Sequence, residues 1–169
     1  MDLGACSPKR HGRASAADSA ELDPCRRVVA GSLPGTRDAV DAGGLQVNAI
    51  TQLSGITEVV SGAQLQVATL TLGGGELRGG GDVLGDVINN LGTVRPGTSP
   101  GQLTILGDYT QGASGTLVME VAGSVQGTSH DYLFSNGAVT LGGTLNVVDA
   151  GYTPVAPEVL NLVFGDISL

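Results

Sequence analysis

The sequence predicts an all-β chain in which short strands stack coil upon coil as a parallel solenoid. Three observations carry this. Pairs of aliphatic residues alternate with polar ones at a spacing of two, as in Leu65/Val67, Leu70/Leu72 and Leu103/Ile105, which places both members on one face of a strand. Glycine occurs 28 times in 169 residues, enough to punctuate many tight turns and to oppose long helices. The aromatic residues number only five, all beyond residue 108, so the core is built from Val, Leu, Ile and Ala.

Residues 1–44 have a different texture. They are rich in Ala, Arg, Asp, Ser and Pro. A short helix over Ala14 to Asp23 would end at Pro24. This segment is expected to be poorly ordered, and 45–169 to form the solenoid. From Leu45 onward the alternating pairs run Leu45/Val47, Leu65/Val67, Leu70/Leu72, Leu103/Ile105, Leu117/Met119/Val121, Val139/Leu141, Leu145/Val147 and Leu160/Leu162/Phe164. Between them lie turns at Ser61-Gly62, Gly73-Gly74-Gly75, Gly79-Gly80-Gly81, Gly92, Gly107 and Gly142-Gly143. Strands this short do not hold as isolated hairpins. They persist where each coil stacks on the next. At roughly 20 residues per coil, residues 45–140 make about five coils. The pattern predicts that Leu103, Ile105, Leu117, Met119, Val139, Leu141, Leu145 and Val147 point inward.

Three blocks carry a family resemblance over about residues 45–155. The first is Leu70-Thr71-Leu72-Gly73-Gly74-Gly75-Glu76-Leu77 with Gly79-Gly80-Gly81. The second runs from Asn89-Asn90-Leu91-Gly92-Thr93-Val94-Arg95-Pro96-Gly97 through Ser99-Pro100-Gly101 to Gly107-Asp108-Tyr109-Thr110-Gln111. The third joins Gly115-Thr116-Leu117 through Val121, Asp131-Tyr132-Leu133 and Gly137 through Val147. Together they resemble the β-helical passenger domains of bacterial autotransporters and related secreted β-solenoid proteins. The resemblance implies a right-handed parallel β-helix at the cell surface or outside the cell. It implies a structural, display or adhesin-like role rather than one reaction, because such domains carry many activities. The chain departs from the pattern at His130-Asp131, where Tyr-Asp is common, and after Pro154, where it continues Val155-Ala156-Pro157.

Pro96-Gly97-Thr98-Ser99-Pro100-Gly101 lacks the Lys and following helix of a phosphate loop and reads as two Pro-Gly turns. Gly79 to Asp86 lacks the repeated Gly-Gly-x-Gly-x-Asp of calcium-binding coils. His130 has no Gly-x-Ser-x-Gly elbow to serve and reads as a loop residue. Glu58, Glu76, Asp82, Asp86 and Glu120 are the carboxylates that a polysaccharide lyase or glycosidase would draw on, with Arg78 and Arg95 the only nearby cations. Their simpler reading is a solvated face that limits aggregation. Asn89, Asn90 and Asn146 read as turn or stacking residues. No catalytic, cofactor-binding or metal residue is therefore assigned, and no cofactor is expected. A groove of clustered carboxylates with a basic residue would favour an enzyme, and a smooth Thr/Ser/Asn/Gly face a stalk.

Charge narrows the partners. The formal net charge is −8. Residues 45–169 carry two arginines against ten acidic side chains, a balance that repels nucleic-acid backbones and anionic lipids. A host-surface or glycan ligand is the partner class left open. Cys6 and Cys25 could pair after export, but two cysteines make no framework. Met1-Asp2-Leu3-Gly4 does not open a signal peptide, and no stretch approaches the ~20 apolar residues of a membrane span. The expectation is either a piece of a longer exported protein or a chain whose first residues are not its natural start.

Overall fold

A computed structural model describes residues 37–40, 45–98 and 100–168. Thirteen strands occur in it: β1 (Arg37–Val40), β2 (Leu45–Gln52), β3 (Ile56–Val59), β4 (Gln64–Leu72), β5 (Glu76–Gly79), β6 (Asp82–Asn89), β7 (Thr93–Pro96), β8 (Gln102–Ile105), β9 (Tyr109–Gln111), β10 (Thr116–Val121), β11 (Tyr132–Thr140), β12 (Thr144–Asp149) and β13 (Val163–Ser168). Most of the segment expected to be irregular lies outside the described residues. Within it, Arg37–Val40 forms β1.

The described residues are all-β and their strands pair in parallel. The chain alternates between two sheets. One has the order β1-β3-β5-β7-β10-β12, the other β13-β11-β8-β6-β4-β2, and β9 pairs with β11 and β6. Each strand therefore lies beside the strand one chain turn earlier. Leu45 pairs with Leu65, 20 residues on. Leu77 pairs with Val94, 17 residues on. The interval lengthens to 30 between Leu103 and Leu133.

Parallel register sorts like with like. Along one sheet Ile50, Leu70, Val87, Tyr109, Val139 and Ile167 form a single row. Along the other, Thr57, Leu77, Val94, Leu117 and Leu145 do so. The interior members of both rows are buried, and the two inner faces meet as one core. The predicted period of two holds within each straight segment. It breaks inside β4, where the buried positions pass from Leu65 and Val67 to Leu70 and Leu72. A strand that must turn a corner shifts its inward parity there.

That corner explains a glycine. β4 spans the bend with one residue more than β6, and the register shifts between Gln66 and Thr69. Gly85 fits the bend with φ 142°. A Cβ on it would lie 1.6 Å from the Val67 carbonyl oxygen. Gly107 stacks against Gly85, and Gly137 against Gly107, so coils touch backbone to backbone at this column.

The inward prediction holds for Leu103, Ile105, Leu117, Met119 and Val139, all fully buried. Leu141 is partly buried against the core. Leu145 and Val147 depart from it, each being 50% exposed. They sit in register with buried Leu117 and Met119, so their facing is as expected. Their exposure arises because β12 has a neighbour on one side only among the described residues. Alternation reports the face of a strand, and burial also needs the next rank.

Two substitutions test this packing. Ile105→Asp should cost on the order of several kcal/mol, because it places a charge among aliphatic neighbours. Leu145→Asp should cost less than about 1 kcal/mol, as is usual at exposed positions. Urea midpoints of the two variants should differ accordingly, and equal midpoints would contradict the burial. Gly85→Ala should lower stability by more than about 1 kcal/mol, since φ and space both oppose a Cβ.

Candidate functional site

Three sets of polar groups among the described residues differ in their chemistry. The first sits inside the corner that follows the second sheet. Gln52, Leu72, Asn89 and Gln111 occupy one register position on successive turns. The three carboxamides are buried and bond the backbone of the turn they enclose. Gln52 Nε2 donates to the Gly55 and Glu76 carbonyls at 2.9 and 3.1 Å, while its Oε1 accepts from the Thr57 hydroxyl at 2.6 Å. Asn89 Oδ1 accepts from Gly92 N at 2.9 Å and its Nδ2 donates to Thr116 O at 3.1 Å. Gln111 Nε2 donates to the carbonyls of Gly115, Gly142 and Thr144. Tyr109 adds its hydroxyl to Gln111 Oε1, and burial pushes that phenol above its ordinary pKa. These side chains do the work of caps inside a corner, where unpaired backbone groups are costly. Asn89 is thus a turn residue, as its sequence context suggests, while Asn90 and Asn146 are exposed.

The second set clips coils together on the outside. Asp86 Oδ1 accepts from Asp108 N at 2.9 Å. One turn later Asp108 Oδ1 accepts from Ala138 N at 2.8 Å. Both aspartates follow a corner glycine, in Leu84-Gly85-Asp86 and Leu106-Gly107-Asp108, and Phe164-Gly165-Asp166 repeats the pattern. Sequence reasoning treated Asp86 as solvated. The structure makes it a backbone acceptor. The recurring Gly-Asp dipeptide was the signal that could have revealed it, and unequal coil lengths hid its periodicity.

The third set lies on the outer face of the first sheet. Glu58, Arg78 and Arg95 are register neighbours on β3, β5 and β7. Arg78 Nη2 lies 3.0 Å from Glu58 and its Nη1 3.6 Å from Glu76. The Glu58 hydrogen bond raises the pKa of Arg78. Arg95 Nη1 lies 3.4 Å from Glu120 on β10. These carboxylates were expected on a solvated face. They are instead partly covered and ion-paired.

The loop after β7 closes this face. Pro96 and Gly97 turn the chain, with Gly97 at φ 77° and its N–H on the Gly79 carbonyl at 2.7 Å. Asp131 anchors the far side of the loop. Its carboxylate accepts from Gly101 N at 2.9 Å and from Glu120 N at 2.8 Å. His130 and Asp131 form no couple. His130 is buried with Nδ1 3.1 Å from the Gly123 carbonyl, and its Nε2 has no partner among the described residues. A recess of about 250 Å³ results, lined by Glu58, Arg78, Arg95, Glu120, Asp131 and the 96–98 turn. The structure thus gathers Glu58, Glu120 and both arginines, and leaves Asp82 and Asp86 elsewhere. Asp131 is the member that sequence reasoning missed. Its place depends on a loop closure spanning 30 residues.

The chain matches no protein-family model, and no curated protein or solved structure is significantly similar to it. Among the described residues no group of three His, Cys, Asp or Glu side chains is placed to hold a metal ion. Among them, too, no helix is long and apolar enough to cross a membrane.

Asp131 gives this region a pH signature. Burial raises its pKa above the ordinary 3.8, against the lowering effect of its two backbone donors. A raised folded value means that the folded state binds the proton more tightly than the unfolded one. The contribution of Asp131 to stability therefore grows as pH falls through its raised value, and it is complete below the ordinary carboxylate value. Relative to Asp131→Asn, the native protein should gain stability on acidification from neutral pH towards about pH 4. Urea unfolding of both proteins across that range measures it. A constant difference would show that Asp131 titrates normally.

Proposed function

We propose that the protein is a structural module of an exported bacterial surface protein, a right-handed parallel β-solenoid acting as a stalk or passenger stacking region. The observation that supports this most directly is where the polar groups are used. Buried carboxamides bond corner backbone, aspartates bond the next coil, and Arg78 and Arg95 are matched by Glu58, Glu76 and Glu120. Polar chemistry spent on stacking suits a rigid spacer, whose role is to extend and present. The resemblance of three sequence blocks to autotransporter passengers supports a location outside the cell. An acidic body with two arginines makes nucleic acid an unsuitable partner.

A second reading, a carbohydrate-active β-helix enzyme, draws on the recess. There carboxylates and basic residues cluster, the feature that distinguishes an enzyme from a plain stalk. Against it, Glu58 and Glu120 are ion-paired with Arg78 and Arg95 and Asp131 accepts from two backbone N–H groups, so each recess carboxyl is already engaged, whereas acid-base catalysis needs one within reach of the substrate.

Turnover separates the two. Incubated with neutral and uronate-containing polysaccharides, the protein should release no reducing ends and form no unsaturated uronate absorbance. Turnover lost in the Glu58→Gln/Glu120→Gln double variant would replace the structural reading with the enzymatic one. Export is checked by fusing the chain behind a secretion signal and ahead of a membrane barrel. Protease-accessible surface display is the expected result.

A further inference from the structure

We propose that Asn136-Gly137 is a modification site, at which the folded protein converts its own asparagine to aspartate and isoaspartate with water as the only co-reactant. This does not rest on the stacking role and would hold for any function of the chain.

The site arises from the column of corner glycines. Gly85, Gly107, Gly137 and Gly165 meet one another on successive coils. A Cβ on Gly137 would lie 2.2 Å from Asp108 Oδ1 and 2.8 Å from the Gly107 carbonyl oxygen, so packing admits no side chain there. The residues that precede the column are Leu84, Leu106, Asn136 and Phe164. Only one coil therefore sets a carboxamide beside an obligatory glycine. The other asparagines, Asn48, Asn89, Asn90, Asn146 and Asn161, precede Ala49, Asn90, Leu91, Val147 and Leu162. A side chain on the following residue crowds its peptide nitrogen, whereas glycine leaves the nitrogen open and its backbone free to turn.

The Gly137 nitrogen is also loosely held. Pairing of β11 with β8 ends at Ser135, and pairing with β9 resumes at Val139. Pairing with β13 lapses between Phe134 and Ala138. The Gly137 N–H donates to Ser135 Oγ at 3.2 Å, the long end of the usual range. A regular ladder would fix this peptide and resist ring closure, but here the ladder is interrupted on both sides. Asn136 is exposed, so its carboxamide can turn towards the backbone and water reaches it.

Gly137 N gives up its proton to hydroxide and attacks Asn136 Cγ. The bond from Cγ to the side-chain nitrogen breaks, and that nitrogen leaves as ammonia. The product is a succinimide. Water then adds to either ring carbonyl and breaks that carbon's bond to the ring nitrogen. Opening at Cγ gives aspartate, and opening at the main-chain carbonyl gives isoaspartate. Each conversion consumes one water, releases one ammonia and leaves one new carboxyl group. Isoaspartate routes the main chain through its side chain and so inserts a methylene before Gly137. β11 pairs again just beyond, with β9 and β13 at Val139 and Thr140, and the insertion disturbs that register.

The test follows the folded protein in mildly alkaline buffer at physiological temperature, beside a sample unfolded in urea. Fragmentation mass spectrometry of its peptides locates each conversion of amide to acid, and chromatography separates the aspartate and isoaspartate peptides. Asn136 is expected to convert in the folded sample while the other asparagines stay intact, with ammonia released in equal amount. Asn136→Gln, whose longer side chain closes the ring poorly, should lose this release, and a thermal melt confirms that it folds. Amide hydrogen exchange at Val139 and Thr140 should be faster in the isoaspartate form than in the unmodified protein. Conversion seen only in urea would mean that the strand protects the site, and it overturns the proposal. So does earlier conversion of another asparagine, or undiminished ammonia release from Asn136→Gln. Equal exchange at Val139 and Thr140 overturns the disturbance of register.

Discussion

Parallel register between successive turns is the constraint on which the other features depend. A strand that pairs in parallel with the strand one turn earlier sets each residue beside its counterpart, facing the same way. Rows such as Ile50–Leu70–Val87–Tyr109–Val139 follow from that alone. Each row is continuous, so water is excluded along its whole interior. A slip of one residue would turn an entire coil's aliphatic side chains outward.

The corners guard the register. A corner breaks the ladder of backbone hydrogen bonds, and the broken groups need partners. At the interior corner the carboxamides of Gln52, Asn89 and Gln111 supply them. At the other, Gly85 and Gly107 let backbones approach, and Asp86 and Asp108 take N–H groups from the coil above. The two devices differ for a geometric reason. The carboxamides turn inward, where both a donor and an acceptor must be satisfied. The aspartates face solvent, where an ionised acceptor stays hydrated on its other side.

The outer face of the first sheet follows the same logic with a different result. Register places Glu58, Arg78 and Arg95 side by side, so two cations are adjacent. Arg78 is answered by acidic residues on its own and the preceding strand. Arg95 must reach Glu120 on the following one. The Pro96–Gly97 turn and the Asp131 anchor then fold over this position, and the recess is what the closure leaves.

The class of the fold was legible in the residues. Alternation with a period of two named the strands, and abundant glycine excluded helices. Leu103, Ile105, Leu117, Met119 and Val139 could be placed inside without coordinates, because the facing of a side chain is a local property of its strand. The turn roles of Asn89 and the Pro96–Gly101 stretch were equally local. The tertiary structure alone decided what depends on distance along the chain. Leu145 and Val147 face inward yet stay exposed, since burial needs a neighbouring rank. Asp86 bonds a residue 22 positions later, and Asp131 closes a loop on Gly101, 30 positions earlier. Coils of 17 to 30 residues share no fixed period, so no single spacing in the sequence announces those contacts. Only the winding of the chain brings them within hydrogen-bonding reach.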